Sequence, residues 1–363
     1  MSQQWGDWKN LGTVTQGGLG RVFKVEHVSS GKIGALKQLI NANRIARLKN
    51  EVDAVKQLEH PHIASLIDAD VEHERPYAVF EWVDGGSVGD LSDEELSAVP
   101  LDQRLNWCQQ VCVALQVAHE KGLIHRDVKP DNVLLDKSRQ TAKLCDFGLV
   151  FFGNGERVTA TMEQAGSRYY IAPECEDGRP ETIVPATDLY SLGKLIYYVA
   201  SGGRMFARER HREVDRELSV LLNDPFAEHL SKLLDSLVVG DVNARAQNAA
   251  DVVRMIDQTR RRLSMTAPCR GKPETHKCIF CGEGTYEVVA FSQDHSAAHN
   301  SGYSDEGNIG KHHFIFVECN ICGNSQRFKF DRGGDWFAVE DPKFPGDRRV
   351  QSTNLRLRPD GSR

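Results

Sequence analysis

The stretch Leu123–Asn132, LIHRDVKPDN, decides the reading of this chain. It sets a carboxylate at Asp127, an amine at Lys129 and an amide at Asn132 within one short loop. A carboxylate can accept a hydroxyl proton. An ammonium can lie beside a transferring phosphoryl group, and an amide oxygen can reach a metal ion. Phosphoryl transfer through a loose transition state asks for positioning and charge neutralisation more than covalent chemistry, and this trio offers both. The same stretch also reads as a charged surface loop between a helix and a hairpin, so its neighbours must arbitrate.

Fourteen residues beyond Asn132 stands Asp146-Phe147-Gly148, behind the short apolar runs Val133-Leu134-Leu135 and Lys143-Leu144-Cys145. The order His125-Arg126-Asp127-x-Lys129-Pro130-x-Asn132, followed by this triplet, resembles the catalytic loop and DFG element of eukaryotic-type (Hanks-type) serine/threonine protein kinases. The resemblance implies that Asp127 orients and deprotonates the acceptor hydroxyl and that Lys129 neutralises phosphate charge. It also implies that Asn132 and Asp146 hold Mg²⁺ or Mn²⁺. Phe147 would set the orientation of the triplet, and Leu134 would pack beneath the adenine of ATP.

Upstream, Leu11–Val25 reads LGTVTQGGLGRVFKV, two strand-like runs around a glycine cluster. Gly17, Gly18 and Gly20 let backbone N–H groups approach phosphates. With Val22 the stretch resembles the kinase Gly-rich loop, although Thr15 stands where the first glycine belongs. Gly34-Ala35-Leu36-Lys37 is similar to the third-strand element of the family. There Lys37 would hold the α- and β-phosphates, and Ala35 and Val22 would cover the adenine. Apolar residues at Ile45, Leu48, Val52, Val55 and Leu58 predict a helix within Asn43–His60, stopped by Pro61. Glu51 lies at the edge of that stripe, where it can meet Lys37 or remain solvated. Tyr77–Val83 predicts a strand, and Asp84-Gly85-Gly86-Ser87 a turn. By resemblance this is the interlobe hinge, with Phe80 behind the nucleotide and the backbone of Glu81 and Val83 bonding the adenine edge.

Downstream, Leu101–Lys121 predicts a helix whose stripe includes Cys108 and Cys112, a spacing open to core thiols or to metal. Residues 149–170 resemble an activation segment carrying Thr159, Thr161 and Ser167. Gly166–Glu174 is similar to its G-T-x-x-Y-x-A-P-E ending. Ser167 keeps the hydroxyl of the usual Thr, which with Lys129 implies a Ser/Thr acceptor. Phosphate on Thr159 or Thr161 would dock on Arg126; the alternative is a solvated polar loop. Asp188 would bond the catalytic-loop backbone, and Glu174 would pair with Arg245.

Length and composition frame these motifs. A chain of 363 residues suggests two domains. At 40% hydrophobic and 26% charged it is not a disordered chain. The net charge of -6 gives no global reason to expect nucleic-acid binding. The polar start MSQQWGDWKN lacks the apolar region of a signal peptide, and no apolar run approaches the ~18 residues of a membrane span. The expected place is a reducing, cytoplasmic compartment, with no membrane insertion.

Past the basic helix end Arg260-Arg261-Arg262, residues 264–275 hold Pro268, Gly271 and Pro273 and read as a linker. Cys278-x-x-Cys281-Gly and Cys319-x-x-Cys322-Gly then offer four thiolates to one Zn²⁺, with strand-like runs between them. The pattern resembles a zinc ribbon, which binds protein or nucleic acid in many settings. A redox C-x-x-C pair is the rival. His276, His295, His299, His312 and His313 are substitute ligands or solvated residues. Arg348, Arg349, Arg356, Arg358 and Arg363 form either an anion-binding arm or a solvated terminus.

The expectation is an α+β, two-lobed kinase fold over 8–263, with a small lobe over about 8–83 and a large lobe over about 84–263. A zinc-ribbon-like domain over 276–331 and a tail over 332–363 follow. The expected activity is ATP-dependent phosphorylation of Ser/Thr in protein substrates, with autophosphorylation of the activation segment. The alternative is a pseudokinase scaffold or binding protein.

Overall fold

The computed structural model describes residues 3–17, 20–39, 45–147, 151–152, 169–176, 183–222, 227–263, 285–294, 312–319, 325–330 and 336–338. The chain divides into two compact units, Met1–Asp257 and Gln258–Arg363.

In the first unit β1 (Gln4–Trp5), β2 (Trp8–Gly17), β3 (Gly20–His27) and β4 (Ile33–Gln38) are followed by helix α1 (Ile45–Val55), β5 (Leu66–Asp70) and β6 (Tyr77–Glu81). The strands form one antiparallel sheet in the order β1-β2-β3-β4-β6-β5. Register sorts its two faces. Leu36 lies opposite Phe23 and Val79, and these pack with Trp5, Trp8, Val25 and Tyr77 into one cluster. Lys37, one residue on, lies opposite Val22 and Ala78 on the other face, where Ala78 packs with Leu39 and with Leu48 and Val52 of α1.

Gln4–Trp5 carries no strand signal in the sequence, yet Trp5 is fully buried. The turn at Gly6 has φ 51° and lets this hairpin cover the sheet. A Cβ at Gly34 would meet Val79 Cγ1 at 2.5 Å, so glycine makes room for the valine in this cluster. Helix α1 ends at Val55, short of the expected His60. Beyond it the backbone tightens into turns, with the Gln57 N–H donating to Ala54 O at 3.1 Å and the Leu58 N–H to Val55 O at 3.0 Å.

The large lobe begins with α2 (Asp93–Ala98), closed at its start by a reciprocal Ser92–Glu95 capping box. Helix α3 (Leu101–Glu120) leads to β7 (Leu123–Ile124), β8 (Val133–Leu135), β9 (Ala142–Leu144) and β10 (Phe151–Phe152). Strands β8 and β9 form one small antiparallel pair, and β7 and β10 another. Then come α4 (Pro173–Glu176), α5 (Pro185–Ala200), α6 (Leu218–Leu221), α7 (Glu228–Leu237) and α8 (Ala249–Leu263). Every residue of α5 except Pro185 and Tyr198 is buried. A helix apolar on all sides is a core element, and α5 packs against both α3 and α7. Cys108 and Cys112 are buried core thiols. Among the described residues no helix is long and apolar enough to cross a membrane.

In the second unit β11 (Tyr286–Asp294), β12 (His312–Cys319), β13 (Ser325–Phe330) and β14 (Trp336–Ala338) form an antiparallel sheet in sequence order. The strand-like runs expected at 286–291, 313–317 and 327–330 lie in its first three strands.

Candidate active site

The loop after β7 is hung from α5. Asp188, fully buried, accepts the His125 N–H at 2.9 Å on Oδ2 and the Arg126 N–H at 2.7 Å on Oδ1. His119 of α3 adds Nε2 at 2.8 Å from Oδ2. Burial alone would raise the Asp188 carboxyl, but the hydrogen bonds from His119 and from the Arg126 N–H hold it below the usual carboxylate range. Arg126 has φ 67°, a left-handed conformation that L side chains adopt at a cost of roughly 1 kcal/mol or more. Two bonds into one buried carboxylate offset that strain.

This anchored backbone delivers Asp127. Its Oδ2 accepts Lys129 Nζ at 2.8 Å and Asn132 Nδ2 at 2.9 Å, and Asn132 Nδ2 also donates to the Asp127 carbonyl at 2.7 Å. With its nitrogen committed to Asp127, the Asn132 amide has Oδ1 as the atom that would reach a cation. The Asp127 N–H donates to His125 Nδ1 at 3.2 Å, which makes His125 Nε2 the protonated nitrogen and the donor to the Cys145 carbonyl at 3.0 Å. The Cys145 N–H in turn donates to the Asn132 carbonyl at 3.0 Å. His125 meets the buried Phe147 ring edge-to-face at 4.6 Å. The catalytic loop and the start of the DFG triplet are therefore one hydrogen-bonded body.

Lys37 joins this body to the small lobe. Its Nζ lies 2.7 Å from Glu51 Oε2 and 2.9 Å from Asp146 Oδ1. Burial opposes the ammonium, but Asp146 and then Glu51 outweigh it and push the lysine above its ordinary value. Lys37 is thus a permanent cation with a carboxylate on each side. Glu51 is itself 2% exposed, so it is no solvated helix glutamate. Val22, Ala35 and Lys37 lie on one face of the sheet, opposite or diagonal to Ala78 and Phe80. Phe80 is partly buried beside the α1 cluster.

At the hinge the Glu81 N–H is taken by the Ser65 carbonyl at 2.9 Å, so the carbonyl of Glu81 is its backbone atom suited to an adenine amino group. Its carboxylate binds Lys143 Nζ through both oxygens, at 2.7 and 2.9 Å, and caps the Ser65 N–H. Neither Lys143 nor His119 carries a motif that sequence reasoning could have used. Leu134 sits at the centre of β8, opposite Lys143. Glu174 and Arg245 meet bidentately at 2.8 and 2.7 Å, and the guanidinium holds the Glu174 carboxyl low against the effect of burial.

Oxygen donors from Asp146 and Asn132 beside Asp127 suit a hard divalent cation such as Mg²⁺ or Mn²⁺. Gly18, Gly148, Thr159, Thr161 and Ser167 lie outside the described residues, as do Cys278, Cys281 and Cys322. Cys319 ends β12, where only the backbone is described. Among the described residues no group of three or more His, Cys, Asp or Glu could hold a metal ion.

A family model described as protein kinase domain matches residues 8–256. The chain is 34% identical over 206 residues to the serine/threonine-protein kinase ppk25 of Schizosaccharomyces pombe, covering 55% of this chain and 47% of that one. It is 33% identical over 213 residues to the serine/threonine-protein kinase Pkn1 of Myxococcus xanthus, covering 56% and 30%. With the serine/threonine-protein kinase PknA of Mycobacterium tuberculosis it shares 34% identity over 204 residues, covering 53% and 46%. The chain thus spans about half or less of the length of these relatives. The match runs through the lysine–glutamate pair, the anchored loop and the buried α5 alike, and the chain belongs to the protein kinase domain family.

Proposed function

We propose that this chain transfers the γ-phosphoryl group of ATP to serine or threonine hydroxyls of protein substrates. The observation that carries this reading is the paired state of Lys37, held between Glu51 and Asp146 while Asp127, Lys129 and Asn132 interlock on one loop. Asp127 would align the acceptor hydroxyl and take its proton, which leaves the oxygen free to attack. Lys129 and Lys37 would neutralise charge on the phosphates. Bound Mg²⁺ or Mn²⁺, held by Asp146 and Asn132, would supply further neutralisation. Glycines 17, 18 and 20 with Val22, Ala35 and Leu134 would enclose the nucleotide, whose adenine edge would meet Glu81 and Val83. A pseudokinase scaffold would not need this complete set of charged groups.

Incubation with γ-labelled ATP, a divalent cation and a generic Ser/Thr protein acceptor tests the reading. Label should pass to the acceptor and be lost in Asp127→Ala. Failure of the wild-type chain to transfer label would make it a binding protein. Mapping phosphosites in the same reaction tests autophosphorylation of Thr159, Thr161 and Ser167, with Arg126 as the expected dock. Label found elsewhere, with none at these sites, would refute it.

The domain limits we infer are 8–263 for the kinase, 264–275 for a linker and 276–331 for a zinc ribbon, with 332–363 as a tail. Cys278, Cys281, Cys319 and Cys322 would hold a structural Zn²⁺; metal analysis finding well under one zinc per chain would refute this. The ribbon would recruit a protein or nucleic-acid partner, and the protein would work in the cytoplasm.

A further inference from the structure

The sheet of the second unit sorts its residues into two sets. Residues directly opposite one another share a face, and successive residues alternate. One face carries Phe291, Ile315, Val317, Phe328, Phe330 and Trp336, with Gln293, His313 and Gln326 beside them. That set is apolar enough to serve as the core side of so small a sheet. The second face of such an antiparallel sheet is ordinarily polar. Here it is not. Its central rows run Ser292, Phe314, Lys329, Phe337 and Ala290, Phe316, Arg327. Three aromatic residues are interleaved with two cations on neighbouring strands. The acids of this face, Glu287, Glu318 and Asp294, fall in the end rows.

The connection between β11 and β12, residues 295–311, reads HSAAHNSGYSDEGNIGK. Tyr303 and Ile309 are its only large apolar residues. Flat rings separated by cations match a ligand that combines flat bases with a negatively charged backbone. Single-stranded nucleic acid has that chemistry, because its bases can leave one another and stack on aromatic residues. A duplex keeps its bases stacked within itself.

We propose that this face binds single-stranded nucleic acid, with Phe314, Phe316 and Phe337 as stacking positions and Arg327 and Lys329 as phosphate positions. The inference rests on the recognition role proposed above for the second unit and gives it a ligand class and a face. The test is fluorescence anisotropy of the full chain with labelled oligothymidine, oligouridine and duplex probes of about 15 nucleotides, at salt between about 50 and 200 mM. The single strands should bind more tightly than the duplex. Phe316→Ala and Phe337→Ala should each weaken binding about 5- to 150-fold. Arg327→Gln with Lys329→Gln should lower the log–log salt slope by about 1.4, which keeps the test decisive where a Phe variant misfolds. Duplex binding as tight as single-strand binding would overturn the proposal. So would wild-type affinity in all face variants with loss on Arg348→Gln, Arg349→Gln, Arg356→Gln and Arg358→Gln, although nucleic-acid recognition by the second unit would then survive. No binding of any probe by the wild-type chain would remove both readings and leave a protein partner.

Discussion

Asp188→Asn should separate the shape of the catalytic loop from its chemistry. The change removes one charge and almost no volume. In the native fold Oδ1 takes the Arg126 N–H at 2.7 Å, and Oδ2 takes the His125 N–H at 2.9 Å and His119 at 2.8 Å. An amide offers one acceptor and one donor. Whichever way it turns, one backbone N–H then faces an NH₂ group at a site with no access to water. A hydrogen bond to a charged group contributes about 1.5–3 kcal/mol, and a buried donor left unmet costs about 1–3 kcal/mol more. The sum is about 2.5–6 kcal/mol, against a typical stability of about 5–15 kcal/mol. For a domain of this size that should lower Tm by roughly 10 °C. The strained Arg126 should relax as its anchor weakens, and Asp127 would move with it. A displacement of about 1 Å at a reacting group can cost on the order of 100-fold in rate, so kcat/KM should fall by at least about tenfold even where the variant is folded. Differential scanning calorimetry and phosphotransfer kinetics on the same preparation read both effects. The reasoning fails if Asp188→Asn melts within about 2 °C of the wild type and keeps its kcat/KM.

Four further outcomes are expected. Asp127→Ala should abolish phosphotransfer to a protein acceptor while leaving Tm close to that of the wild type, since the loop hangs from Asp188 rather than from Asp127. Glu174→Gln strands Arg245, whose side chain is fully buried, and should cost about 3–5 kcal/mol in urea unfolding; Glu174→Leu with Arg245→Met should recover much of that loss. Trp5→Ala opens the cluster shared with Trp8 and Phe23 and should cost about 3–5 kcal/mol, whereas Trp5→Phe, which deletes an indole N–H with no partner among the described residues, should cost far less. Burial pushes Lys194 of α5 down to about 7. Its folded value lies below the ordinary lysine value of about 10.4, so protonation favours unfolding between those limits. Stability should therefore fall as the pH drops from about 10 to about 7 and level off below, and Lys194→Met should flatten that limb; an unchanged pH profile would refute the assignment.

Much of the site was legible because its chemistry is local. Asp127, Lys129 and Asn132 stand on one turn, and a turn that short leaves side chains few places to go. The glycine cluster between two strand-like runs likewise reports geometry that neighbouring residues impose, whereas Ala35 and Lys37 were legible through resemblance to the family's third-strand element. Glu51 was a weaker inference, since a stripe edge admits both an inward and a solvated carboxylate. Its 2.7 Å contact with Lys37 settles the choice.

What the residues by themselves determined is which groups exist and which element each rides on. Sequence spacing carries that information through backbone periodicity. Only the tertiary structure decided what lies across from them. It brought His119 to Asp188, set Lys143 against the hinge glutamate, tied His62 and Ala64 to Leu144, and spent two N-terminal tryptophans on the outer face of the sheet. Each of these joins residues with no common period, because burial and hydrogen-bond satisfaction are imposed on the folded whole and leave no local mark in the chain.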